Sequence, residues 1–209
     1  MKTFEIKNQF VLSKLNCIES RILSINYDDI EILQNECLDE RNCALSEKNL
    51  KGIMSLNIIH EGHPVRQPRY FNSKCGVGMI DDEIFKHKCE LTEYMFSQRI
   101  CLDALYPPKS YCEWHNNANA SGYGIMFTWS ETGEGDFRYW DNNKKEVVII
   151  PDKKGWNFKH FYFGNYDDPE EKLVYHASSN DCLRYSMAFH FVDEKEVWED
   201  TIEMLMSHE

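Results

Sequence analysis

Four residues of the chain have the types and the spacing to do chemistry together. His115 closes the strand-like run "SYCEWH" and His176 closes "KLVYH". Asn117 lies two positions after the first histidine, and Arg184 opens "RYSMAFHFV" eight positions after the second. Two imidazoles and one oxygen donor can occupy one face of a first-row metal and leave the other positions open, the arrangement of mononuclear non-haem Fe(II) centres. The third donor has to sit close to the first histidine. A strand that turns straight after His115 can aim positions 115 and 117 at one ion, and position 117 holds a neutral amide. An arginine at the start of the next strand offers a fixed two-pronged donor for the far carboxylate of a keto acid. Ser186 shares that strand face and can add a hydrogen bond. A buried arginine with no counter-charge is costly, so the position implies a ligand or an internal acid.

The two histidines are 61 positions apart, with several strands between them. From residue 100 onward, short aromatic and β-branched runs alternate with turns. The strand-like runs are "RICLDALYPP", "SYCEWH", "GYGIMFTWS", "GDFRYWD", "KEVVIIP", "KHFYFG", "KLVYHA" and "RYSMAFHFV", and pieces such as "ETGEG", "DNNKK", "DKKG" and "SSND" separate them. Eight short strands at this spacing predict a sandwich or jelly roll rather than a doubly wound sheet. Strands distant in sequence can then converge at one mouth of the barrel. Before residue 100, helical patterns dominate. Apolar residues at 11, 15, 18, 22 and 23 form a stripe, "YDDIEILQNECL" and "SEKNLKGIMSLNII" read as further helices, and residues 81–98 as a helix that backs the sheet. Residues 62–78, with two prolines, read as a loop, and residues 193–207 as a closing helix. The expected architecture is one domain, mainly β with flanking helices. It comprises an N-terminal helical region over 1–99, a double-stranded β-helix (jelly-roll or cupin-like) core over 100–192, and a C-terminal helix over 193–209.

Composition removes several classes of function. The chain has 209 residues, 42% hydrophobic and 28% charged, with a net charge of −12. That charge disfavours duplex nucleic acid as a partner, because such binding needs Lys and Arg to displace phosphate counterions. No apolar run is long enough for a membrane span, and no secretory leader is evident. The eight cysteines contain no CxxC pair, so they read as reduced thiols of a cytoplasmic protein.

The ordered set "WHNN…YWD…VYHASSNDCLRYSMAFHF" resembles the core of the Fe(II)/2-oxoglutarate-dependent dioxygenases, especially the prolyl-hydroxylase-like branch, over about residues 100–192. "SETGEGDFRYWD" and "DKKGWNFKHFYFGNY" are also similar to uncharacterised oxygenase-like proteins of tailed phages, which would place the chain in a host cytoplasm. The resemblance implies hydroxylation of a C–H bond with Fe(II), 2-oxoglutarate and O2. It implies His115, Asn117 and His176 as metal ligands, and Arg184 as the anchor of 2-oxoglutarate, helped by Ser186 and by Tyr106 or Tyr111. The substrate it implies is a peptide or protein side chain, or a small molecule. The chain departs from the family twice. The His-to-Arg gap is shorter than usual, which implies a tight turn, and Asn117 removes one unit of negative charge from the metal site. Carboxylates elsewhere could substitute: Glu113, two positions before His115, or Glu134 and Asp136 on the hairpin.

Other features have plainer readings. His60 and His63 in "HEGH" read as loop residues, His160 and His190 as core or rim, and "GEGDF" as a hairpin turn. Arg66 and Arg69 lie on a loop that could cover a site, although a solvated loop is the ordinary reading. The competing hypothesis for the whole chain is a jelly-roll binding module that has lost its iron site.

Overall fold

The computed structural model describes residues 1–25, 38–60, 81–169 and 172–208. Among these are five helices: α1 (Gln9–Ser24), α2 (Leu38–Ala44), α3 (Glu47–Leu56), α4 (Asp82–Tyr94) and α5 (Lys195–Met206). There are nine strands: β1 (Lys2–Phe4), β2 (Arg99–Tyr106), β3 (Ser110–His115), β4 (Gly122–Ser130), β5 (Gly135–Asp141), β6 (Glu146–Pro151), β7 (Gly155–Phe163), β8 (His176–Asn180) and β9 (Arg184–Phe191). The expected helix over "YDDIEILQNECL" falls almost wholly outside the described residues, and the loop over 62–78, with His63, Arg66 and Arg69, lies entirely outside them.

The strands form two antiparallel sheets, ordered β1-β7-β4-β9-β2 and β3-β8-β5-β6. The pairings β2–β9, β3–β8, β4–β7 and β5–β6 describe one long antiparallel hairpin whose tip is β5–β6. Two further pairings, β4–β9 and β5–β8, roll that hairpin into a jelly roll. The expected β core with flanking helices is therefore present. β1 is an addition: three residues at the start of the chain pair with β7 along the sheet edge, too short a run to show an alternating pattern.

Why the larger sheet is so apolar follows from its two covered faces. In β9, all eight residues are buried. Tyr185, Met187, Phe189 and Phe191 join the cluster formed with Val11, Leu15, Ile18 and Ile22 of α1 and Ile84 and Leu91 of α4. Arg184, Ser186, Ala188 and His190, on the alternate positions, line a cavity between the sheets. The helix starts are capped as their sequences suggest. The Asn8, Ser46 and Asp81 side chains accept backbone N–H bonds at the first turns of α1, α3 and α4. A buried polar tie fixes α4 to the sheet, with Lys88 paired to Asp103, whose other oxygen accepts from the Tyr185 hydroxyl at 2.7 Å. On the far side, α2 and α3 cover the smaller sheet through Leu45, Leu50, Ile53, Trp114 and Trp140.

Candidate functional site

The rolled hairpin brings His115 and His176 together. They are directly paired in the β3–β8 ladder, with ring centroids 4.1 Å apart. His176 opens β8 rather than closing a strand. The run "KLVY" before it is not strand, and "SSN", expected to be turn, is the strand itself. The apolar run Leu173-Val174-Tyr175 packs beside the sheet, where Trp140 donates its backbone N–H to the Tyr175 carbonyl at 2.9 Å.

A β-bulge aims His115. Cys112 and His115 both line the cavity, although strict alternation would put positions three apart on opposite faces. The β3–β8 register shifts between Cys112 and His115. The extra residue sends Trp114 outward into the core under α2 and α3 and returns His115 to the interior. The strand then turns at once. Buried Asn116 anchors the turn, its N–H donating to the His60 carbonyl at 2.9 Å and its Oδ1 accepting from Ala118 N–H at 3.3 Å. Asn117 is left facing the cavity, with Nδ2 3.4 Å from His176 Nε2.

Both imidazoles are held in the same tautomer. Nδ1 of His115 donates to the Glu113 carbonyl at 2.7 Å, and Nδ1 of His176 donates to the Val174 carbonyl at 3.0 Å. Each Nε2 therefore keeps its lone pair. Burial drives the affinity of both rings for a proton below the ordinary histidine value, most strongly for His176, where a charge on His115 adds to the effect. The His176 ring is further held by two stacked phenyl rings, Phe163 at 4.6 Å and 7° and Phe137 at 5.5 Å and 20°. Gly124 makes room for this aromatic wall, since a Cβ there would meet the Phe161 ring at 2.3 Å. Two neutral imidazole nitrogens beside an amide suit a divalent first-row metal.

The nearby carboxylates are engaged elsewhere. Glu113 pairs with His60 at 2.8 Å, Asp136 with Arg138, and Glu134 accepts from Thr132 at 2.8 Å. Among the described residues no group of three or more His, Cys, Asp or Glu could hold a metal. Among the residues expected as ligands, His115, His176 and Asn117 are the ones that line the cavity together and could hold a metal.

Arg184 opens β9 and lines the same cavity of about 250 Å³. It lies opposite Tyr106 in the β2–β9 register, with its guanidinium carbon 5.8 Å from that ring. The internal acid foreseen for a buried arginine is Asp152, whose Oδ2 accepts from Arg184 Nε at 2.9 Å. Nη2 of Arg184 is buried with no hydrogen-bond partner. Ser186 lines the cavity, its hydroxyl 3.4 Å from that of Thr128. Tyr106 also lines the cavity, whereas Tyr111 departs from expectation. It alternates with Cys112 and packs with Trp114 and Trp140 on the helix-covered face.

Two participants were missed in the sequence. Asp152 sits in "DKKG", read only as a turn, and Lys159 in "KHFYF", read only as a strand. Lys159 Nζ is 3.5 Å from Asp152 Oδ1 and 5.8 Å from the centre of the Phe137 ring. A signal was available, because Lys159 shares its alternation with Phe161 and Phe163 and so had to face the interior.

No family model and no curated protein matches the chain. Among solved structures, it is similar to a prolyl hydroxylase from Trichoplax adhaerens in complex with a hypoxia inducible factor oxygen degradation domain peptide fragment. The identity is 14%, with 90% of this chain and 93% of that chain covered and a TM-score of 0.39. It is also similar to a Pseudomonas putida prolyl-4-hydroxylase, at 10% identity over 91% of this chain and 98% of that one, with a TM-score of 0.36.

Proposed function

We propose that the protein is an Fe(II)- and 2-oxoglutarate-dependent oxygenase that hydroxylates a C–H bond. His115, Asn117 and His176 are its metal ligands, and Arg184 is its keto-acid anchor. The observation that carries this reading is the opposed pair His115 and His176, each locked through Nδ1 so that Nε2 can coordinate. The unpartnered Nη2 of Arg184 in the same cavity supports it, since a buried donor without an acceptor calls for one. Bound Fe(II), with 2-oxoglutarate and O2, would supply the oxidising power. The chain's own residues do the rest. His115 and His176 hold the metal as neutral donors, so no proton has to leave before it binds. Asn117 presents its amide oxygen after a half-turn of the side chain, which now directs Nδ2 toward His176. Arg184, with Ser186 and Tyr106, fixes the far carboxylate of the keto acid. Met126, Phe137, Phe161 and Phe163 make the wall apolar and exclude water. The substrate class is a peptide or protein side chain, or a small molecule.

The test is anaerobic addition of Fe(II) and 2-oxoglutarate. A visible metal-to-ligand charge-transfer band is expected, and its absence at saturating metal would sink the reading.

One observation favours a second reading, a binding module that has lost its iron site: no carboxylate completes the histidine pair among the described residues. The Asn117→Asp variant separates the two. Succinate release by the unaltered protein supports the enzyme, whereas release only from the variant supports the lost site.

A further inference from the structure

Three charged side chains meet at the Arg184 end of the cavity, and their charges do not cancel. Arg184, Lys159 and Asp152 have side-chain exposures of 3%, 1% and 0%. Asp152 gives one oxygen to Arg184 Nε at 2.9 Å and the other to Lys159 Nζ at 3.5 Å. One buried carboxylate thus serves two buried cations. Had Asp152 faced Arg184 alone, the pair would be neutral and complete. Because Lys159 shares it, Arg184 lacks a full counter-charge, and its Nη2 has no partner. The fold takes trouble to place Asp152 there. Gly135 lies against it, where a Cβ would stand 2.9 Å from Asp152 Oδ2.

We propose that Lys159 is a positioning residue that keeps Arg184 short of counter-charge by sharing Asp152, so that this end of the cavity selects keto acids carrying a second, far carboxylate over keto acids without one. The inference rests on the reading of Arg184 as the keto-acid anchor and adds the residue that sets its selectivity.

The surroundings of Lys159 make the effect pH-dependent. Asp152 from the β6–β7 turn and Arg184 from β9 are the charged groups that act on it. β4 and β5 present Met126 and Phe137 to this interior, and Tyr106 of β2 lies beside Arg184. Burial lowers the Lys159 ammonium to about 8, against the pull of Asp152 and with a smaller push from Arg184. Deprotonation would leave Arg184 and Asp152 balanced, so far-carboxylate binding should weaken as pH rises through this value and should take up a proton there.

The experiment is calorimetric titration of the full chain, loaded with manganese(II) as a redox-silent metal, with 2-oxoglutarate and with 2-oxobutyrate, which has the same head and no far carboxylate. In the unaltered protein, 2-oxoglutarate should bind better, and its affinity should fall about tenfold between about pH 7 and about pH 9. Lys159→Met should weaken 2-oxoglutarate about tenfold at the lower pH, flatten the pH dependence, and leave 2-oxobutyrate unchanged. Lys159→Arg, which keeps the charge, should restore the affinity and hold it at the higher pH, and it answers the question even if the Met variant fails to fold. If the Arg variant shows the same fall with pH as the unaltered protein, or if the Met variant keeps the preference, the inference is wrong and the keto-acid reading stands. If neither keto acid binds the metal-loaded protein, both fall together.

Discussion

His115 and His176 face each other across one rung of the β3–β8 ladder, their rings 4.1 Å apart. The site is thus a property of register. Removing either ring should abolish tight metal binding, while adding a charge at the third position should strengthen it. We expect His115→Ala and His176→Ala to bind manganese(II) or cobalt(II) at least about a hundredfold more weakly, and Asn117→Asp about tenfold more tightly. Direct titration measures both. Equal affinity in Asn117→Asp would show that position 117 does not reach the metal.

Phe163 supports one of the two proposed histidine ligands. Stacked on His176 at 7°, it is buried and part of the inner cluster. Phe163→Ala should cost about 3–5 kcal/mol by denaturant unfolding. It should also lower metal affinity about tenfold in the folded fraction, since the His176 plane loses its support. A stability loss with unchanged affinity would assign the ring to packing alone.

Gly135 is the point where β5 meets the buried charges. A methyl group there would stand 2.9 Å from both Asp152 Oδ2 and the Ser179 carbonyl. Gly135→Ala should destabilise the protein by about 1–3 kcal/mol through crowding. It should also weaken 2-oxoglutarate, because the Asp152 carboxylate is the atom group that has to move. Full affinity in the variant would show that Arg184 does not depend on Asp152 for its pose.

Asp81 gives a prediction away from the site. Its side chain accepts from the Glu83 and Ile84 N–H groups at the start of α4 and pairs with Arg21 of α1 at 2.7 Å. The Arg21 hydrogen bond, followed by the backbone bonds, holds its carboxyl below the usual aspartate value despite some burial. A depressed carboxyl contributes stability above its unfolded value of about 3.9 and loses it as pH falls through the folded one. Asp81→Ala should therefore cost about 0.5–2 kcal/mol near neutrality, and the gap from the unaltered protein should close in acid. Urea melts at both pH values check this.

Much of this was legible in the sequence, and the failures have physical causes. Aromatic and β-branched runs bounded by turn residues locate β2 to β7 and β9 to within a few residues. The motif order singled out His115, Asn117, His176, Arg184, Ser186 and Tyr106, all of which line one cavity. The sequence puts the start of β8 too early, because Val174 and Tyr175 look like strand residues although they only pack beside the sheet. The sequence does not choose between Tyr106 and Tyr111, because nothing in it marks which face of β3 turns inward near a bulge. Lys159 is readable from its alternation with Phe161 and Phe163, whereas Asp152 gains meaning only once the turn folds it between Lys159 and Arg184.

The rolled hairpin also sets an order of assembly. Its tip, β5–β6, closes a short local turn, whereas the β3–β8 rung must bring together residues 61 positions apart. Local contacts form at lower entropic cost than distant ones, so the tip can zip early and the histidine rung must wait for closure of the long loop. The pair that would hold the metal is therefore expected to form after the tip. Metal added to a refolding chain should leave the early phase untouched and act only once the roll has closed as far as the β3–β8 rung, which would make metal capture a reporter of a late step of folding, with β2–β9 still to close over the longer separation.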